Sequence, residues 1–437
     1  MILNEWYKGE SKSRLEQTAP DVLDAVDIHY EPGFIQSNLA LEEETTTVNE
    51  PAIGVTVPSG DVFWFSTTTG KIWKRAYSTG VYSLVYTNTY GACQGAIFFS
   101  NYIWFISTSA SVTYVGRILA TTASSEGTWV SATQNWGALL GDAITGYVPM
   151  VELIDYLYIG GEQYVARVSS TSYVYNDDAL DIYPGMTITD LAVSDTYLII
   201  AGEKNEAIGK TSIFAWDTIS SSWTFEDEMP ERTFNGFIPT DDMLFASAGT
   251  SGQLYYWNGK DMVKYYRLKS GTVTQNPYAS AMFSGVALYG ESTGNIFSIN
   301  QSMKDFPTVI SGAYSTTGFY SMTSSFGTLY VSTGTSIVKT GTTYADGAIT
   351  TPQIKTPANE LKVHYDSLPT GATISLESNV NGAGWVSETG FVQDSTNMMY
   401  VLTNGVSYAG VINFIQYRIT MNSSSSGSPV IREIEIN

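Results

Sequence analysis

The 437 residues carry 42 acidic against 21 basic side chains, a net charge of −21, so the surface repels phosphate backbones and anionic membranes. That balance disfavours a nucleic-acid reader and a membrane-surface protein. The single Cys93 excludes an internal disulfide framework and reads as a small core hydrophobe.

Residues 1–48 read as an N-terminal arm. MILNEWYKGE lacks the apolar centre of a signal peptide, and no apolar run of the chain approaches the roughly 18 residues of a membrane span, which suits a soluble protein. Pro20 interrupts any helix between Ser13 and Tyr30. Gly33–Glu50 then reads as a strand running into an acidic-polar linker. Phe34–Leu41 is expected to close the next module by supplying its last outer strand, and the residues before it to reach a neighbouring subunit.

Residues 49–350 are built on a repeated apolar, aromatic-rich run that stops at small residues. It reads VFWFST from Val62, YIWFIS from Tyr102, YLYIGG from Tyr156 and YLIIAG from Tyr197. It returns as MLFASAG from Met243, VALYGE from Val286 and TLYVSTG from Thr328. The starts lie about 40–54 residues apart, the period of a propeller blade made of short strands. An alternating strand precedes each run, as in AIGVTV from Ala52, and another follows, as in KIWKRA from Lys71. Several units show an outer fourth strand, such as SLVYTN from Ser83. Composition agrees: aromatics are 13%, charged residues 14%, and long helix-forming runs are nearly absent. The pattern predicts a seven-bladed β-propeller. The longest interval holds an excess at Ser125–Asp142, read as an enlarged outer hairpin or a surface loop. Trp216-Asp217 ends one third strand but is not repeated, and kelch double glycines are missing.

Residues 351–437 open on a linker, TPQIKTPANE (Thr351–Glu360), which contains Pro352 and Pro357. Six alternating stretches, from LKVHY at Leu361 to VIREIEI at Val430, predict a small C-terminal β-sandwich. Asn381-Gly382 between two of them is a tight-hairpin signal. The surrounding SNVNGAGW (Ser378–Trp385) resembles the Asp-box hairpin of sialidases, but Val380 stands at the Asp position and that box is structural.

The candidate chemistry is thin. His29 and His364 fall in different modules, and neither sits beside a candidate nucleophile or in zinc-ligand spacing. Asn176, Asp177, Asp178 and Asp181 offer oxygen ligands without the EF-hand spacing and read as a solvated loop. Glu226, Asp227, Glu228 and Glu231 read as a solvated outer hairpin. A glycosidase needs two carboxylates about 5–10 Å apart. Glu152, Asp190, Asp241 and Asp242, on or near the innermost strands, are the candidates to test. Trp129, Trp136 and Tyr173 are the candidate aromatics for stacking on sugar faces. No residue is assigned to catalysis, to a cofactor or to a metal.

ELKVHYDSLPTGATISLESNVNGAGW (Glu360–Trp385) and FIQYRITMNSSSSGSPVIREIEIN (Phe414–Asn437) are similar to the β-sandwich that ends many tail and neck proteins of tailed bacteriophages. The three-part layout, with a propeller lacking enzyme motifs, resembles nozzle and tail-tip proteins by architecture. The resemblance implies a non-enzymatic structural component of a virion tail, neck or baseplate, assembled in the host cytoplasm. Its partners would be other tail or neck proteins and further copies in a ring. It transfers no catalytic residue. The alternatives are a carbohydrate- or receptor-binding tail protein and, behind it, a propeller glycan hydrolase.

Overall fold

The computed structural model describes residues 1–3, 20–31, 34–121, 133–204, 210–240, 243–268, 273–292, 294–300, 308–311, 319–355, 360–403, 406 and 410–437. Every regular element among them is a strand, and no helix among the described residues is long and apolar enough to cross a membrane. The chain divides into two compact units, one of residues 43–294 and 315–339, the other of residues 1–42, 295–314 and 340–437.

The first unit is organised by four-stranded antiparallel sheets that follow the chain, each running from an inner to an outer strand. Sheet 1 holds Ala52–Thr56, Val62–Ser66, Lys71–Arg75 and Tyr82–Thr87. The inner strands of the next sheets are Cys93–Phe99, Met150–Leu153, Met186–Ser194, Phe234–Pro239, Ser280–Phe283 and Ser321–Ser325. Each inner strand touches the next, and Ser321–Ser325 touches Ala52–Thr56, so the succession returns to its start. Polar side chains stitch that seam. The Ser321 hydroxyl donates to Ala52 O (2.8 Å) and accepts from Gly54 N (2.9 Å), while Thr56 and Thr323 share a 2.8 Å bond.

The repeated apolar runs are the second strands. Val62–Ser66 and Leu244–Ala248 are buried at every position, because a sheet with a neighbour on each face has no solvent side. Phe63 and Phe65 pack with Ile103 and Phe105 between sheets 1 and 2, and Phe214 and Trp216 pack with Leu157's neighbour Tyr158 between sheets 3 and 4. Gly54 is forced by this closeness: a Cβ there would lie 2.7 Å from the Trp64 ring. Outer strands recover alternation, as in Phe225–Met229, since one edge meets water.

The outer strand of sheet 7 comes from far upstream: Leu39–Thr45 pairs with Ile337–Tyr344. The closing strand therefore begins five residues later than the Phe34–Leu41 stretch read from sequence. Phe34–Ser37 is used elsewhere, because Ile35 is fully buried in the core of the second unit.

That unit holds two sheets around one apolar cluster. One is ordered Val26–Glu31, Phe34–Ser37, Val430–Ile436, Glu360–Ser367, Met399–Thr403, Phe391–Asp394, with Ile2–Leu3 also paired to Val430–Ile436. The other is ordered Val22–Asp24, Gly347–Thr350, Ile415–Asn422, Thr373–Val380, Val386–Ser387. Burial alternates strictly along Ile415–Asn422, the signature of strands with one wet face. Strands upstream of the expected module, within residues 1–37 and at Gly347–Thr350, thus belong to these sheets, where the sequence reading sent the earliest residues to a neighbouring subunit. Asn381 and Gly382 have φ of 53° and 76°, the left-handed pair of a tight turn closed by Ala383 N donating to Val380 O (3.0 Å), but that turn lies inside a longer connection whose last paired residues are Ser378 and Val386.

Candidate functional site

The groups with chemistry to offer gather where the inner strands of the first unit converge. Asp190 stands on Met186–Ser194, beside a bulge that shifts the register between Ile188 and Asp190. Its side chain is buried, and both oxygens are taken by backbone: Oδ1 accepts from Leu191 N (2.8 Å) and Oδ2 from Phe237 N of the next sheet (2.6 Å). Burial raises its carboxyl to about 7, against the pull of those two N–H groups toward the ionised form. The Tyr278 hydroxyl donates to Val148 O at 2.6 Å, and burial holds its proton well above the ordinary phenol range, with Cys93 and Asp190 adding to the effect. Burial likewise pushes the Cys93 thiol and the Tyr147 phenol up to about 12 each. The thiol and the two phenols are therefore neutral at physiological pH, so Cys93 is no thiolate nucleophile. It packs with Phe65 and Phe105, as a small core hydrophobe does.

Two adjoining cavities open beside this cluster. One is lined by Thr67, Cys93, Gln94, Thr108 and Tyr147, the other by Tyr147, Thr187, Thr189, Asn235 and Asn276. Their amides are already engaged: Asn276 Nδ2 donates to Tyr320 O (2.5 Å), Asn235 Nδ2 to Gly249 O (2.9 Å), and Gln94 Nε2 to Ile144 O. The lining ties neighbouring sheets together. Glu152 lies exposed on Met150–Leu153, opposite Leu157, and Asp241 and Asp242 lie outside the described residues. Of the two described carboxylates among these candidates, Asp190 is in the buried centre, and its oxygens are committed to holding two sheets.

The aromatics proposed for sugar stacking have a different fate. Trp129 is outside the described residues. Trp136 and Tyr173 do come together, but around a cation of this chain: the Arg117 guanidinium lies 3.3 Å from the Trp136 ring centre, 4.3 Å from Tyr102, 5.0 Å from Tyr173 and 5.5 Å from Trp104. The Tyr173 hydroxyl donates to Ser100 O at 3.1 Å. Desolvation lowers the Arg117 pKa, and the ring faces partly replace the water this half-buried cation gives up. Trp136→Ala is therefore expected to cost about 2–3 kcal/mol in urea unfolding, combining lost apolar burial with an uncovered cation.

Asn176, Asp177 and Asp178 sit on the outer strand Tyr175–Asp181 of sheet 3, where a solvated loop was expected, with Asn176 paired to Arg167. Glu226, Asp227 and Glu228 form the outer strand of sheet 4, and Asp227 Oδ2 accepts Met262 N (2.8 Å) from sheet 5. Among the histidines, the His29 side chain is outside the described residues, and His364 lies on Glu360–Ser367.

No family model and no curated protein matches the chain. Solved structures do. A streptogramin B lyase structure is 13% identical with a TM-score of 0.53, covering 69% of this chain and 97% of that one. The WD40 β-propeller domain of Doa1 is 11% identical, TM-score 0.50, over 70% of this chain and 96% of that one. The RRP9 WD40 repeats are 11% identical, TM-score 0.50, over 70% and 98%. Identities this low carry the fold alone: the chain is all-β and contains a β-propeller.

Proposed function

We propose that the chain is a seven-bladed β-propeller coupled to a β-sandwich, and that it serves as a non-enzymatic structural component of a tailed-phage tail, neck or baseplate. The blade count is supported by the cycle of inner-strand contacts that returns from Ser321–Ser325 to Ala52–Thr56. The sandwich is supported by two sheets sharing one core. The observation that carries the functional reading is the use of the central groups. The buried carboxylate Asp190, where a propeller hydrolase would need an available acid, is bound by the Leu191 and Phe237 N–H groups. A centre spent on cohesion suits a part whose work is shape and contact. The similarity of Glu360–Trp385 and Phe414–Asn437 to phage tail and neck modules supplies the assembly, and the net charge of −21 gives a wall along which DNA moves without sticking.

The test is association. Analytical ultracentrifugation of the pure chain is expected to show self-association into a ring at high concentration, and an antibody to the chain is expected to label intact virion tails. A chain that stays monomeric and never sediments with virions ends this reading.

A second reading, a carbohydrate-binding tail protein, is favoured by one feature. A polar groove on the second sheet of the C-terminal unit is lined by Asp21, Asp24, Asn379, Trp385, Gln416 and Arg418. Arg418 lies 4.1 Å from the Trp385 ring and 3.2 Å from Glu377. Acids, amides and an aromatic together suit sugar hydroxyls and ring faces. Glycan-array binding lost in Trp385→Ala but kept in Trp136→Ala would establish it; silence of the native chain on host polysaccharides would remove it.

A further inference from the structure

The geometry points to a divalent transition-metal site, of the zinc class, formed by His364, Glu433 and Glu435. His364 sits on Glu360–Ser367, and both glutamates sit on the adjacent Val430–Ile436. The antiparallel register places His364 directly opposite Glu433 and Lys362 opposite Glu435. Residues two apart share a face of the sheet, so the imidazole and both carboxylates project to the same side. One ligand atom from each of the three falls within 4.8 Å of the others.

Two features separate this cluster from an ordinary ion pair. Nε2 of His364 lies 3.3 Å from Glu435 Oε1, with side chains only 19% and 28% exposed. Yet Nε2, shielded from solvent, makes no hydrogen bond. A nitrogen close to a carboxylate without bonding to it is placed as a lone pair would be when both face a common cation. The spacing fits as well: two ligands each about 2.0 Å from a tetrahedral metal stand about 3.3 Å apart.

The donor set selects the ion. One neutral imidazole and two carboxylates neutralise a divalent charge and suit zinc. Calcium requires six to eight oxygens, and magnesium an octahedral shell. Three protein ligands leave a fourth position for water. Lys362, directly across from Glu435 on the same face, bonds Glu360 at 2.8 Å. The supporting strands are interior to their sheet, Glu360–Ser367 lying between Val430–Ile436 and Met399–Thr403, so the ligands are presented by rigid backbone. The bound ion would clip together two strands that close the C-terminal unit.

The experiment is titration of the full chain with zinc chloride by calorimetry, paired with cobalt(II) absorption. One equivalent is expected to bind in the micromolar range, unaffected by millimolar magnesium, and cobalt is expected to give the intense visible bands of a four-coordinate centre. His364→Ala and the isosteric Glu435→Gln should each weaken zinc binding at least tenfold, on the order of what loss of a supporting group costs a metal site. Thermal unfolding without metal checks that both variants fold. Absence of saturable binding by the native chain, or equal binding by the folded variants, overturns the assignment. The second result would move the ion to the acids of Tyr175–Asp181 or Phe225–Met229.

Discussion

Glu44→Ala is expected to destabilise the propeller by about 3–5 kcal/mol, the usual consequence of removing one partner from a buried charge cluster. Glu44 lies on the upstream strand that completes sheet 7. Its carboxylate receives Arg75 Nε of sheet 1 at 2.7 Å and Lys339 Nζ of sheet 7 at 2.5 Å. Glu44 and Arg75 side chains are 9% and 10% exposed, and the Arg75 guanidinium covers the Tyr330 ring at 4.8 Å. One carboxylate therefore joins the first sheet, the last sheet and the strand that closes them. Without it, the buried Arg75 guanidinium and the half-buried Lys339 ammonium lose the carboxylate between them. Urea unfolding measures the loss. Glu44→Leu combined with Arg75→Met and Lys339→Met should recover most of it, since apolar replacement of a whole buried ionic cluster is often near neutral. A triple variant no better than Glu44→Ala would show that the ions act by more than compensating one another.

The same cluster sets an acid limit. Burial alone would raise the Glu44 carboxyl, but hydrogen bonds from Lys339 and Arg75, with their charges, outweigh it and hold the carboxyl below its ordinary 4.5. A depressed folded value means that the stabilisation is complete above 4.5 and disappears as pH falls through the folded value. Acid unfolding of the native chain should accordingly steepen below pH 4.5, and Glu44→Ala should flatten that limb.

Asp190→Asn is expected to reverse sign with pH. Burial raises the Asp190 carboxyl from 3.8 to about 7, so the folded chain keeps a proton the unfolded chain has released. Stability from this group therefore falls as pH rises from about 4 to about 7 and is level beyond. At roughly 1.4 kcal/mol per pKa unit, the native chain forfeits on the order of 4 kcal/mol across that window. Asparagine never ionises, but it gives up one acceptor for the Leu191 or Phe237 N–H, a cost of about 1–3 kcal/mol at every pH. The variant should be less stable than the native chain at pH 4 and more stable at pH 8. Parallel stability curves would show that the carboxyl titrates normally in the fold.

What could be read in the amino-acid order was whatever is written locally and repeatedly. Seven apolar runs, each flanked by alternating strands, announced sheets buried on both faces, because both-sided burial is the only use for runs such as VFWFS and LFASA in water. Asn381-Gly382 announced its turn because the backbone there needs two left-handed residues, although the strands it joins pair only from Ser378 and Val386 outward. Tertiary structure alone decided which upstream strand completes sheet 7. Phe34–Ser37 and Leu39–Thr45 are adjacent strands, and the choice rests on Ile35 finding a core and Glu44 finding Arg75 and Lys339, all distant in the chain. It also decided that Trp136 and Tyr173 enclose Arg117, and that His364 meets Glu433 and Glu435. Such meetings depend on strand register across long loops. Register is a sum of many weak pairings over the whole sheet, and no short window of sequence contains it.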